Sequence, residues 1–219
     1  KSIERALLCS RLLATLPLRQ PDFYPMPPAA PSAPVSSTRS QVMDAAAIDE
    51  ALRRIAAEII ARNSGPGVER LAIVGIYTRG VEVARRLCAL IGQTAQVAPE
   101  FGVLDISMHR DDLRRRPRIG SIQPTRLPLD LDARTVVLAD DVVFTGRTVR
   151  SALDALGEFG RPERIQLAAL VDRGHRELPI RPDYTGLELS TAWRDRVLVR
   201  FESMDHVPDA VWLERDEPT

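Results

Sequence analysis

The run Val136-Val137-Leu138-Ala139-Asp140-Asp141-Val142-Val143-Phe144-Thr145-Gly146-Arg147-Thr148 restricts this chain more than any other stretch. Val136–Ala139 is apolar and rich in β-branched residues, as a central strand covered on both faces requires. From Thr148 to Phe159, Val149, Ala152, Leu153 and Leu156 recur at the spacing of one helix face. The chain therefore passes from buried strand to helix through two acids and the turn Thr145-Gly146-Arg147-Thr148. Such a turn offers backbone N–H groups, hydroxyls and a helix N-terminus, which together make an anion site. Adjacent carboxylates at the strand end suit two neighbouring hydroxyls, such as the 2′ and 3′ positions of a ribose. A phosphate cradle beside a diol clamp implies a ribose-5-phosphate ligand.

A second segment has the same plan. Leu71–Ile76 reads as a buried strand, Tyr77-Thr78-Arg79-Gly80 closes it, and a helix runs from Val81 to Ile91. Gly80 permits an unusual backbone angle or close approach to a ligand. Arg79 supplies a fork of donors suited to phosphate oxygens. Around these two units, Ile48, Leu52, Ile55, Ile59 and Ile60 predict a helix over Ala45–Arg62, stopped by Asn63-Ser64-Gly65-Pro66-Gly67. Strands are expected at Val103–His109 and Ile165–Asp172, with Val197–Phe201 and Ala210–Glu214 pairing as edge strands. Alternating strands and helices predict an α/β fold: a mostly parallel sheet flanked by helices, with ligands at the carboxyl ends of the strands.

Composition narrows the class. With 219 residues and zero formal charge, the chain as a whole lacks the basic footprint of a nucleic-acid binder. No apolar run is long enough to span a bilayer, so no membrane partner is expected. Cys9 and Cys88 make neither a disulfide framework nor a zinc spacing, and a reduced cytoplasm is the expected compartment. Residues 17–34 hold seven prolines, which exclude a helix or central strand there. Residues 1–42 are read as a disordered extension, with Met26 or Met43 as a natural start, and 43–219 as the one domain. Arg110–Pro128 is a polar stretch without periodicity and reads as a flexible lid, with Arg110 placed as a phosphate contact.

The strand, Asp-Asp, Thr-Gly-x-Thr and helix together resemble the phosphoribosyl pyrophosphate (PRPP) signature of type I phosphoribosyltransferases. Asp105-Ile106, Arg110-Asp111-Asp112-Leu113, Gly160-Arg161-Pro162 and Val171-Asp172-Arg173-Gly174-His175-Arg176-Glu177-Leu178-Pro179-Ile180-Arg181 further resemble the PyrR family. Its members are pyrimidine operon regulators that also act as uracil phosphoribosyltransferases. The likeness runs from Ala45 to Gly186. It implies conversion of uracil and PRPP to UMP and pyrophosphate, with Mg²⁺ held mainly through PRPP. Asp140 and Asp141 would orient the ribose, and Arg79 and Arg110 would stabilise charge on the leaving pyrophosphate. Thr78, Gly80, Val142, Thr145, Gly146, Arg147 and Thr148 complete the PRPP set; Val171, Asp172 and Arg173 frame uracil. Phe144 stands where 6-oxopurine enzymes carry an acid, and an apolar ring is no general base.

The resemblance also implies an mRNA leader as partner, and further copies of this chain. Arg53, Arg54, Arg62, Arg176 and Arg181 are the candidate RNA contacts. Three departures weaken that face: Ala57 replaces the family's first-helix His, Leu187-Glu188 replaces Lys-Asn, and Leu189-Ser190-Thr191 replaces Pro-Thr-Ser. An RNA-binding attenuator, or a nucleotide sensor with little catalysis, is therefore the alternative expectation. No residue stands out as the base for uracil N1.

Overall fold

Two kinds of apolar pattern, alternating in strands and one-sided in helices, sort this chain into a layered structure. A computed structural model describes residues 37–109, 124–128 and 130–216. In chain order these form β1 (Ser37–Met43), α1 (Ala45–Arg62), β2 (Leu71–Ile76), α2 (Gly80–Ala95), β3 (Glu100–Leu104), β4 (Thr135–Val143), α3 (Arg147–Leu156), β5 (Arg164–Asp172), β6 (Tyr184–Glu188), β7 (Arg196–Arg200), α4 (Glu202–Asp205) and β8 (Ala210–Asp216). Arg110, residues 111–123 of the lid beyond it and residues 1–36 lie outside the described residues, while lid residue Arg126 bridges to Val103 of β3.

The main sheet has five parallel strands in the order β3-β2-β4-β5-β6. From β2 the chain steps outward to β3 and then returns past β2 to β4. That reversal leaves a crevice beyond the carboxyl ends of β2 and β4, where ligands bind in doubly wound sheets. Alternate strand residues cover opposite faces. Leu71, Ile73, Val137 and Ala139 join Ile48, Leu52, Ile55 and Ile59 of α1 and Val83, Leu87 and Ile91 of α2. Ala72, Val74, Val136 and Leu138 join Val149, Ala152 and Leu156 of α3. Burying each large aliphatic side chain contributes about 1.5–3 kcal/mol, so both layers are held mainly by this packing.

α1 matches its expected span, with Asp44 accepting the Ala47 N–H at 2.8 Å as its N-cap. Cys88 packs partly buried against the same layer, and burial pushes its thiol up to about 12. β3 ends earlier than Val103–His109. Asp105 Oδ1 accepts the Ser107 N–H at 2.8 Å and its hydroxyl at 2.6 Å, a local turn that competes with sheet pairing.

The tail strands β7 and β8 do pair, antiparallel, but in a separate three-stranded sheet of order β1-β8-β7. Its third strand, β1, starts at Ser37, ahead of the helix where ordered structure was expected to begin, and pairs with β8. Met43, Val199, Phe201 and Val211 bury into the α1–α2 layer. The edge of the main sheet is instead β6, which went unread because Tyr184-Thr185-Gly186-Leu187-Glu188 has little apolar alternation. Its pairing with β5 supplies the missing order.

Candidate active site

β4 carries its acids to the crevice. Asp140 is buried, and its Oδ1 accepts the Asp141 N–H at 3.0 Å. Asp140, Val142, Thr145, Gly146, Arg147 and Thr148 line one cavity of about 220 Å³ with Phe144 and Ser151. Burial raises the Asp141 carboxyl above its usual range, opposed by a hydrogen bond with Asp140 and the positive charge of Arg79. Both carboxylates and the arginine thus belong to one electrostatic unit.

The turn after β4 is shaped for an anion. Gly146 sits at φ 91° and makes no side-chain cap to α3. A left-handed angle there favours glycine, and the first N–H groups of an uncapped helix remain open to a ligand. The Arg147 N–H reaches Thr145 Oγ1 only at 3.4 Å. From outside, the Thr145 carbonyl accepts the N–H groups of Glu177 and Leu178 at 3.0 and 3.2 Å. Arg147 Nε meets Glu177 at 2.6 Å.

Across the crevice, the Tyr77–Thr78 peptide is cis and Thr78 is exposed. A Cβ on Gly80 would stand 2.4 Å from the Ala139 carbonyl oxygen, so only glycine lets α2 start against the end of β4. Arg79 Nη2 donates to Asp205 Oδ1 at 2.7 Å, while its buried Nε has no acceptor. Asp205 lies in α4, at the far end of the chain, and nothing near Arg79 in sequence announces it.

The proposed uracil residues run alongside. Val142 pairs with Val171 and Val143 with Asp172, and the Arg173 N–H donates to the Val143 carbonyl at 3.1 Å. The side chains are already engaged. Asp172 accepts the Gly174 N–H at 2.9 Å and Arg176 Nη2 at 2.6 Å. Arg173 is buried over the Phe144 ring at 4.1 Å, with Nη1 on the Asp195 carbonyl at 2.7 Å and Nη2 on that of Ala192 at 2.9 Å. Burial lowers its pKa, partly opposed by Asp195. Backbone groups are what this wall offers a base. Phe144 also contacts the rings of His175 and Trp193, a three-ring cluster that the sequence pattern does not signal.

The candidate RNA arginines divide. Arg176 is bonded within the fold: its Nε donates to the Ile180 carbonyl at 2.8 Å and its Nη1 to that of Phe144 at 2.5 Å. With Nη2 on Asp172, all three nitrogens brace the signature turn, and the residue lines the same groove as Arg181. Arg54 donates to the Thr185 and Gly186 carbonyls at 3.1 and 2.5 Å, and Arg62 pairs with Asp183 at 2.9 Å. Arg53 pairs with Asp49 along α1 at 2.8 Å. Arg181 is exposed and lines a groove of about 910 Å³ with Thr185 and Glu188. Ala57 and Glu188 are exposed and Leu187 is half-buried.

The comparisons with known proteins follow this geometry. The phosphoribosyl transferase domain family matches residues 38–199. A bifunctional protein PyrR of Roseiflexus sp. is 48% identical over 179 residues, covering 82% of this chain and 97% of that protein. Another, of Brevibacillus brevis, is 53% identical over 167 residues, covering 76% and 92%. A solved hypoxanthine phosphoribosyl transferase of Trypanosoma cruzi superposes with a TM-score of 0.63 at 14% identity, covering 80% of this chain and 91% of that one. At that identity the likeness speaks for the fold alone. Among the described residues no helix is long and apolar enough to cross a membrane. Identity at this level over nearly whole relatives, on this fold and around this crevice, places the chain in the phosphoribosyl transferase domain family and, within it, among the PyrR proteins.

Proposed function

We propose that the chain is a uracil phosphoribosyltransferase that joins uracil to PRPP, giving UMP and pyrophosphate, with a further part in regulating pyrimidine biosynthesis genes. The observation that carries it is the cavity in which Asp140 and the Thr145–Thr148 turn meet at the carboxyl end of β4. In the reaction, uracil N1 forms a bond to C1′ of the ribose as the C1′–O bond to pyrophosphate breaks, and the N1 proton is released. Backbone N–H groups at the start of α3 hold the 5-phosphate. Asp140 and Asp141 accept from the ribose hydroxyls and orient C1′. Arg79, held by Asp205 and 32% exposed, stabilises charge growing on the leaving group, an electrostatic contribution prepared before the reaction. Phe144 excludes an acid from the base side, which favours uracil over a 6-oxopurine.

Mg²⁺ fits the donor set. Mg²⁺ is commonly held by one or two carboxylates plus substrate phosphates rather than by a protein cage, and the Asp140–Asp141 pair supplies such acceptors. Among the described residues there is no group of three or more His, Cys, Asp or Glu side chains suited to a metal. When bound, the ion would offset negative charge on the pyrophosphate. Turnover with PRPP, Mg²⁺ and each of uracil, orotate, adenine and hypoxanthine tests the reading. UMP from uracil alone is expected; turnover of another base alone overturns the assignment.

A second reading, RNA attenuation with weak catalysis, is favoured by the exposed Arg181 at the groove and by the bifunctional relatives. Arg176, whose nitrogens are all bonded within the chain, and exposed Glu188 oppose it. Titration of a leader RNA at rising salt separates the two, since phosphate contacts weaken steeply with salt.

A further inference from the structure

Arg79 belongs to the loop after β2, yet its partner comes from the turn that follows β7. Asp205 is almost wholly buried, its side chain 9% exposed, and its carboxylate is shared. Oδ1 accepts Arg79 Nη2 and Arg200 Nη1, each at 2.7 Å, while Oδ2 accepts the Phe201 N–H at 3.0 Å. Burial alone would raise this carboxyl, but the Phe201 N–H and the two arginines outweigh it and hold it at about 2. The group is therefore an anion across the working pH range. Phe201 itself is buried in the α1–α2 layer, so the anchor beneath Asp205 is rigid.

On the other side, the Arg79 charge favours the ionised form of Asp141, against the rise that burial gives that carboxyl. An arginine loses much rotamer freedom when it is fixed. A buried N–H without an acceptor is costly as well. Arg79 bears both costs, with Nη2 secured and Nε buried and unmet. Structural arginines in this chain, Arg173 and Arg176, place all their nitrogens on acceptors. Arg79 departs from that pattern in the way a side chain prepared for a ligand would.

We infer that Asp205 is a positioning residue: by pairing with Nη2 it fixes Arg79, 32% of whose side chain stays exposed, to meet the pyrophosphate oxygens of PRPP, so the small sheet completes the site. This rests on the phosphoribosyltransferase reading above and adds to it a residue that touches no substrate. The ion pair also transmits position: the sheet β1-β8-β7 is tied to the crevice through Asp205, and separately through Arg86 of α2, which bonds Asp209 and stacks over Phe201 at 4.8 Å.

The test is steady-state kinetics on the full chain carrying Asp205→Asn, Arg79→Gln, both together, or Arg200→Gln, with a thermal melt of each. Asp205→Asn is expected to lower kcat/KM for PRPP about tenfold, while the KM for uracil moves less than about twofold. Arg79→Gln is expected to lower it about a hundredfold, and adding Asp205→Asn to that variant should cost less than a further twofold or so, because the two act as one unit. Arg200→Gln removes the outer partner and keeps Arg79 paired, so kcat/KM stays within about twofold of the parent. Equal loss from Asp205→Asn in both backgrounds, or an equal loss in Arg200→Gln, would overturn the inference. An impaired Arg79→Gln beside an unimpaired Asp205→Asn overturns the role of Asp205 alone. An unimpaired Arg79→Gln removes the pyrophosphate assignment of Arg79 itself.

Discussion

Two sides of one crevice are built in opposite ways. On the phosphate side, Thr145, Gly146, Arg147 and Thr148 are neighbours in sequence, and the strand-to-helix passage brings them together at the start of α3. On the pyrophosphate side, Arg79 depends on Asp205, 126 residues away, delivered by a different sheet. Local geometry brings the backbone donors of an anion site together, and bonds from Glu177, Leu178 and Arg176 then brace the turn that carries them. A long charged side chain has many rotamers, and only a distant buried anion can select one. Removing a residue on the phosphate side should therefore act directly, and on the pyrophosphate side through position.

The largest expected effect lies between the two sides. Asp140→Asn with Asp141→Asn should lower UMP formation about a thousandfold with little loss in melting temperature, since ribose orientation is lost without a cavity. Asp141 titrates above its ordinary range, so it accepts hydrogen bonds fully only above that raised pKa. The acid limb of kcat/KM for PRPP should accordingly lie above the usual carboxylate range and move in Asp141→Asn alone; an unmoved limb contradicts the assignment.

Arg176→Gln comes next. It removes charge-assisted bonds to Asp172 and the Phe144 carbonyl, with the side chain 16% exposed, and should cost about 3 kcal/mol. In a domain of this size that is a fall of roughly 6–12 °C in melting temperature. Full stability with loss of RNA affinity would instead restore Arg176 to the nucleic-acid face.

Gly146→Ala should act on the phosphate side alone. A left-handed backbone angle and Cβ contacts of 3.4 Å with Leu178 and Ile180 make alanine unfavourable by about 1–2 kcal/mol. PRPP binding by calorimetry should weaken about tenfold. Equal binding would mean the turn does not hold the 5-phosphate.

Smaller still is the acid response of the pyrophosphate side. Asp205 lies at about 2, below the ordinary carboxylate value of about 3.9. Its stabilisation is complete above pH ~4 and lost as pH falls toward ~2, because protonation then releases Arg79 and Arg200. Melts of Asp205→Asn between those pH values should fall less steeply than those of the parent chain. Arg54→Gln should change stability by less than about 0.5 kcal/mol, since that side chain is half exposed.

Legibility followed the range of the interactions. α1, β2, β4 and β5 lie where their periodicity puts them, since each carries its own burial pattern. The cavity lining was readable for the same reason: Asp140, Val142 and Thr145–Thr148 follow one another along the chain. β1 and β6 escaped notice because each is half-polar and is ordered only by a strand from elsewhere. Arg176 looked like surface charge for want of any local sign that Asp172 and the Phe144 carbonyl would surround it.

By itself, then, the sequence determined the strand–acid–turn–helix unit, the apolar patterns of the strands and helices around it, each carried by residues a few positions apart, and the absence of an acid at Phe144. Tertiary structure decided which charges face a ligand and which brace the fold: Arg79 set by Asp205, Arg173 locked over Phe144, Arg176 bonded to the signature turn. A guanidinium has the same chemistry in either role. Only the acceptors that folding brings within hydrogen-bond reach determine whether its donors are spent on the chain or kept for a substrate.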